Sequence, residues 1–474
     1  MRKIFEPQYS LDIFRIEDTK VNLKSRDAFP KLILALLEIY KKPAYNSKIF
    51  SILEAKIITK NNHTGRKGLN LWQIFVLAQV RLALNISYDR LHDLVNNHQS
   101  LRQLLGIERT WNSEKIVIEY QNIVDNVKLL DDETLKQINI IIVQIGHDVF
   151  KKKEAEELQL KTDSFVVLSN VHFPTDYNLL WDSIRKTLDT INKIIKKYNI
   201  KGWRKIGNWK RELKNLTRNV AQSTRKKPEN KKSIVEEYLK KAKLLLKKVQ
   251  ESHKNLPLRD LKDLTLHSYL EYYIEMMEKH IDLLERRVIK GETIPHKEKL
   301  FSIFETYTEW KTKGKRNPDV ELGKNLQVTT DQYHLIIDFE IMEEMTDNNA
   351  VISIGDRVLQ QYIIKSWSFD KGYFSRENKA LLGLFVDNLV MPKKGKLNKK
   401  EYEEEHKKEF KVLRHKHSAI ESNINELGHR GLDKCPDRGY QHYKNYIALG
   451  VCAYNLHRIG AELMRQAKAK QKLQ

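Results

Sequence analysis

The chain has 474 residues, 41% of them hydrophobic, and a formal charge of +23 at pH 7. That length is too great for one ordinary core and predicts two to four domains. No unbroken apolar run reaches membrane-spanning length and Met1 to Glu6 lacks a signal-peptide core, so a cytoplasmic protein with no membrane attachment is expected. Two cysteines, Cys435 and Cys452, exclude a disulfide framework and a cysteine-type zinc site.

In chain order, Pro30 suits a first helical turn, and Leu32, Ile33, Leu34, Leu36 and Leu37 continue it. A second helix is expected from Ser47 to Ile58, then a polar linker from Lys60 to Gly68. Trp72 to Leu84 reads as a buried helix, Ser87 as the cap of the next, and Leu101 to Gly106 as a short one. Thr110 to Val149 extends the helices to a boundary near residue 155. The pattern fits a helix-turn-helix or a dimerisation bundle, with helical core the commoner meaning.

Leu158 to Leu168 switches to period two and predicts a strand with Asp163 inside it. A carboxylate there costs free energy unless a metal ion or a basic neighbour offsets it; an edge strand facing solvent is the alternative. Ser169 to Asp176 is a loop, and Thr175 or Asp176 caps a helix carrying Leu179, Leu180, Ile184 and Leu188. The chain then stays helical and charged to about residue 310.

Between Ile191 and Gln250 there are 20 Lys and Arg against 4 Asp and Glu. A uniform compositional bias would not concentrate charge this way, and a polyanion, most simply nucleic acid, is the expected partner. Arg204, Lys205, Lys210, Arg211, Lys214, Arg218, Arg225, Lys226 and Lys227 are read as a phosphate-contacting surface. A solvated coiled hairpin is the competing reading. Tyr269 to Leu284 predicts a helix returning against it.

Period two resumes at Asn325 to Asp331, and Tyr333 to Met342 is its hairpin partner, with Asp331 and Gln332 as the turn. Thr346 to Asn349 starts a helix. Trp367 to Ser375 reads as a strand end, an aspartate, a glycine turn and a helix start, so Asp370 sits at the C-terminal edge of a strand and Gly372 lets the backbone turn behind it. A capping aspartate is the simpler alternative. A strand from Phe385 to Met391 follows, then Pro392 to Lys396 stops it. A helix over Val412 to Leu427 carries Glu421 beside the apolar Ile420, Ile424 and Leu427. Tyr446 to Leu463 is the last helix, and Arg465 to Gln474 is expected to be a frayed basic tail.

Taken together, the elements are a strand with Asp163, a helical insertion, two strands, a helix, a strand with Asp370, a helix, a strand and a helix with Glu421. With the insertion removed, that is the order of a ribonuclease-H-like domain, and the fold expected is a mixed α/β, ribonuclease-H-like core with a helical N-terminal domain. The boundaries expected are 1–155 for the N-terminal DNA-binding or dimerisation domain, 156–177 and 321–465 for the two parts of the core, 178–320 for the basic helical insertion, and 466–474 for the tail. Three carboxylates on three elements can converge at one end of such a sheet, and oxygen ligands suit Mg2+ or Mn2+, two ions per site.

Several stretches resemble the DDE transposases of bacterial insertion sequences, a branch of the groups collected as "not classified yet". They are Thr162-Asp163-Ser164 with Ser169 to Asp176, Ser368 to Ser375, Leu389 to Gly395, His417 to Asn425, Gly431-Leu432-Asp433, and Val451 to Gly460. The resemblance spans nearly all of the chain, with Lys371 standing where related enzymes often have Arg. It implies Asp163, Asp370 and Glu421 as the catalytic, metal-binding triad, two-metal cleavage at element ends, and strand transfer into target DNA. The implied partners are double-stranded DNA (terminal inverted repeats and target) and further copies of the chain, as a dimer or larger assembly, in a nucleoid-associated cytoplasmic protein. Lys371, Lys393, Lys394 and Arg414 are candidates for holding phosphates near the ions; His417 and His172 are expected as phosphate or DNA contacts rather than ligands. Asp176, Asp331 and Asp338 are rival acids read as structural. The alternatives are a ribonuclease-H-like DNA nuclease or resolvase, and a catalytically inactive DNA-binding descendant of a transposase.

Overall fold

The computed structural model describes residues 13–57, 68–110, 114–198, 200, 202–203, 205–226, 230–312 and 319–473. The chain divides into two compact units, one made of Met1–Asn170 and Lys311–Gln474, the other of Val171–Trp310.

The first unit opens with α1 (Ala28–Lys41), α2 (Pro43–Ile57), α3 (Leu71–Ala83), α4 (Tyr88–Asn97), α5 (Gln99–Leu104), α6 (Tyr120–Val127) and α7 (Asp132–Val149). Their starts follow from capping chemistry. Asp27, Ser87 and Asp131 each accept a first-turn amide, and Asn70 and Gln73 form a reciprocal capping box on α3. α3 is buried on nearly every side, as its unbroken apolar run predicts.

The 11-residue strand β1 (Leu158–Leu168) follows. The second unit carries α8 (Asp176–Tyr198), α9 (Ile206–Lys226), α10 (Lys231–His253) and α11 (Leu261–Leu284). Apolar residues at helical spacing, among them Ile184, Leu188, Leu213, Val220, Tyr238, Leu245 and Met277, meet in one core. Each helix packs on the next and α11 closes on α8, so the basic region is a four-helix bundle.

Strand β2 (Glu309–Thr312) precedes β3 (Val320–Thr330) and β4 (Ile336–Met342). Then come α12 (Asp347–Leu359), β5 (Ile364–Phe369), α13 (Arg376–Leu382), β6 (Asn388–Val390), α14 (Lys399–Glu405), α15 (Lys408–His417), α16 (Ala419–Leu427) and α17 (Tyr440–Leu473). The sheet runs β2-β3-β1-β5-β6, with β4 also paired to β3. β3 is antiparallel to β1 and β4 to β3, whereas β5 is parallel to β1 and β6 to β5. α12 is the connection between the antiparallel half and the parallel half. Its Val351, Ile354 and Val358 share a core with Leu158, Leu160, Trp367 and Phe369.

α17 packs against α1, α3 and α7. Its fully buried Asn455 bonds both backbone groups of Ile336 in β4, at 2.8 and 2.9 Å, and the Asn139 side chain at 2.8 Å. The crossing of α17 over α1 requires Gly460, since a β-carbon there would stand 1.8 Å from the Lys31 carbonyl oxygen.

Three expectations from sequence change here. The 412–427 helix is broken at Ser418 into α15 and α16, so Arg414 and Glu421 belong to different helices. The strand expected over 385–391 shrinks to Asn388–Val390. Residues 465–473 are not frayed but continue α17.

Candidate active site

Register brings the first two acids together. Thr162 of β1 lies opposite Phe369, the last residue of parallel β5, so Asp163 on β1 and Asp370 just past the end of β5 follow side by side. β5 ends at Phe369, and Asp370 carries extended backbone (φ −73°, ψ 165°) into a single 3-10 turn, Lys371–Tyr373. The position is rigid because Thr162 is locked below it, bonded to Thr329 Oγ1 and to the Trp367 indole N–H, each at 2.8 Å.

Glu421 arrives on α16, which packs against β1. Two residues, His417 and Asn423, pin that segment on either side of it. His417 Nδ1 lies 3.0 Å from Ser368 Oγ, and Asn423 bonds His334 at 3.1 Å and Thr330 at 3.4 Å. Asp370 and Glu421 are exposed, while Asp163 is half-buried.

The electrostatics join these elements. The Asp163 carboxyl is pushed up from 3.8 to about 6, first by burial and then by the negative charges of Asp370, Asp347 and Glu421, against the pull of the Ser164 amide. Asp347, at the start of α12, was not anticipated from the sequence. Its Oδ1 accepts the Ser164 hydroxyl at 2.9 Å. Gly372 serves it: a β-carbon at Gly372 would be 2.7 Å from Asp347 Oδ2, and the glycine is not among those with positive φ. The glycine is therefore there for close approach rather than for an unusual turn. Tyr373 is fully buried, and burial followed by the charges of Asp347, Asp163 and Asp370 raises its phenol well above the ordinary value.

A half-buried cation faces the same way. Lys161 lies two residues before Asp163 and so on the same side of β1; burial lowers its pKa, with Lys416 adding to the effect and Asp331 opposing it. His417 is also lowered, by burial foremost, and the charges of Asp370 and Glu421 act on it in the opposite sense. Its Nε2 is buried with no hydrogen-bond partner among the described residues. Alternation along β1 was the available signal for Lys161; nothing local pointed to Asp347.

The four carboxylates share one electrostatic neighbourhood, but their oxygens do not converge. Asp163 Oδ1 takes the following Ser164 amide at 2.7 Å. Among the described residues no group of three or more His, Cys, Asp or Glu is arranged to hold a metal ion.

The remaining predicted residues divide. Lys371 and Lys394 are exposed and make no ion pair among the described residues. Lys393 is committed to Glu401 at 2.7 Å, and Arg414 lies 3.6 Å from Glu405. In the bundle, His172 Nε2 lies 2.6 Å from Asp182 Oδ2, which raises its pKa, and Lys210 pairs with Asp189 at 2.8 Å. Lys205, Arg211, Lys214 and Arg218 are exposed, the last three at helical spacing on one stripe of α9. Arg225 and Lys226 lie in the last turn of α9. Arg204 and Lys227 lie outside the described residues. The rival acids have structural partners: Asp176 pairs with Arg287 at 2.8 Å, Asp338 with Arg357 at 2.9 and 3.0 Å, and the fully buried Asp331 holds the Tyr333 and Leu335 amides and His147.

The chain matches no protein-family model, no curated protein and no solved structure. Among the described residues no helix is long and apolar enough to cross a membrane.

Proposed function

We propose that the chain is a DDE transposase with a ribonuclease-H-like core, which cleaves DNA at the ends of its element and joins the freed 3' end to target DNA. The observation that carries the reading is the pairing of Thr162 with Phe369 on adjacent parallel strands, which sets Asp163 beside Asp370 just past the end of β5, with the charges of Asp370 and Glu421 both acting on the Asp163 carboxyl. The six-stranded sheet supports it as well: β4, β3 and β1 alternate in direction, β5 and β6 continue parallel to β1, and Asp163 lies on β1 with Asp370 just past the end of β5.

The residues fit a divalent cation in their chemistry. Burial first, and then three like charges, raise the Asp163 carboxyl to about 6, so negative charge gathers at this site. Hard carboxylate oxygens suit Mg2+ or Mn2+. Asp163, Asp370 and Glu421 would hold the ions, with Asp347 beside them. Bound metal supplies activation of the attacking water or hydroxyl and stabilisation of the leaving 3'-oxygen. The chain's own work is positioning. β1 and β5 fix two carboxylates at one height, α16 brings the third across the sheet, and Lys161 and Lys371 place positive charge where a scissile phosphate would lie. The exposed stripe Arg211, Lys214 and Arg218 is suited to the phosphate backbone of double-stranded DNA.

The experiment is cleavage and joining on labelled duplexes carrying the gene's own flanking ends, with Mg2+, Mn2+ or EDTA. Wild type is compared with Asp163→Asn, Asp370→Asn and Glu421→Gln. Metal-dependent joined products, lost in all three folded variants while end binding persists, are expected. Cleavage without joining would replace the reading with a nuclease or resolvase. End binding without chemistry would leave an inactive DNA-binding descendant.

A further inference from the structure

The helical unit contains a cavity that the proposed triad does not use. Its volume is about 430 Å³, within the roughly 300–1,000 Å³ of small-molecule sites. One wall is aromatic: Phe173 meets Trp310 edge-on at 5.5 Å between ring centres, and Phe301 meets Trp310 at 5.6 Å. Phe173 is 59% exposed, an unusual state for a phenylalanine held in an aromatic cluster, and leaves ring surface free to stack.

The rest of the lining mixes aliphatic groups with polar ones, three of which, Lys231, Arg287 and Lys299, are cationic. Lys231 and Lys299 enter the cavity and make no ion pair among the described residues. Arg287 enters too, from a π-helical turn (Glu285–Ile289), but its charge is spent on Asp176. π-helical turns of this kind occur frequently at functional sites. Thr175 Oγ1 is buried with no partner among the described residues, although its carbonyl accepts the Asn178 and Leu179 amides at the start of α8. A buried hydroxyl in that state has hydrogen-bonding capacity left for a ligand or a water.

A planar ring, an anionic group and an edge that exchanges hydrogen bonds together describe a nucleotide. We infer that this cavity takes one unpaired nucleotide of a DNA strand, its base stacked on the exposed face of Phe173 beside Trp310, its edge at Thr175 and Asp176, and its phosphate at Lys231 and Lys299. An apolar peptide would leave the two lysines unused, and a free phosphate would leave the aromatic wall unused. The choice of DNA as the source rests on the proposed function.

The test uses the full chain in EDTA, so that no cleavage intervenes, and two duplexes carrying 2-aminopurine, one as a single-nucleotide bulge and one fully paired. Wild type should quench the bulged probe and bind it more tightly than the paired one. Phe173→Ala, at an exposed position that costs folding little, should weaken bulge binding by roughly 5- to 150-fold, given the usual worth of base–aromatic stacking. Paired-duplex affinity should not change. Trp310→Phe should keep the quenching and Trp310→Ala should lose it.

Equal quenching by wild type and Phe173→Ala, or no preference for the bulge, would overturn the inference. Competition by free dAMP at the concentrations at which the oligonucleotide binds would overturn the strand and leave a free-nucleotide site. Asp163→Asn should stack like wild type. Cleavage without stacking removes only the pocket, and stacking without cleavage removes only the nuclease.

Discussion

Asp347 Oδ1 accepts a 2.9 Å hydrogen bond from Ser164 Oγ, tying the first residue of α12 to the residue after Asp163. That bond holds a fourth carboxylate against a strand that already carries one acid and stands next to another. The Gly372 gap on the opposite side keeps the approach open. Removing this charge should therefore be felt at Asp163.

Asp347→Asn keeps the shape and deletes the charge. Mg2+ affinity should fall by roughly 10- to 100-fold, the usual cost of losing a group that supports metal ligands. Calorimetric titration of wild type and variant with Mg2+ checks this. Unchanged affinity would make Asp347 a helix-start residue only.

Asp163 gives a pH dependence of definite sign. Its folded value, about 6, lies above the ordinary 3.8, so the fold favours the protonated form. The stability this contributes is complete below about pH 4 and is lost as pH rises through 6. In EDTA, Asp163→Asn should therefore be more stable than wild type at pH 8, by at most about 3 kcal/mol, and about equal to it at pH 4. Added Mg2+ should stabilise wild type and not the variant. Urea unfolding at the two pH values, with and without metal, reads both effects.

Gly460→Ala should destabilise the helical packing of the first unit by about 3 kcal/mol or more, because the new methyl group meets the Lys31 backbone rather than a movable side chain. Gly207, on α9, has nothing within 4 Å of the corresponding position and is the control. Equal urea midpoints for the two alanine variants would contradict the crossing of α1 and α17.

Arg211→Gln, Lys214→Gln and Arg218→Gln combined should weaken duplex binding uniformly across sequences. The slope of log affinity against log salt should flatten by roughly 0.9 for each phosphate contact removed. An unchanged slope would return the stripe to a solvated helix face.

Local pattern was enough to find the strands around Asp163 and before Asp370, the hairpin turn at Asp331, and the buried helix at Trp72, since alternation, helical spacing and capping residues act over a few neighbours. The accumulation of charge between Ile191 and Gln250 was equally visible. Its packing was not: four helices share one core because Leu213, Tyr238 and Met277 meet across long sequence separations. The break at Ser418, which separates Arg414 from Glu421, also escaped a reading by periodicity, because Ser418 keeps right-handed helical backbone (φ −56°, ψ −19°) across it.

By itself, then, the sequence determined which residues alternate, which cap and where cation accumulates, all properties of short windows. Tertiary structure alone decided that Thr162 pairs with Phe369, which makes Asp163 and Asp370 neighbours although they are far apart in the chain. It also decided that Asp347 reaches Ser164 and that Glu401 neutralises Lys393. The reason is physical: strand register, burial and the field at a carboxyl depend on partners brought together by folding.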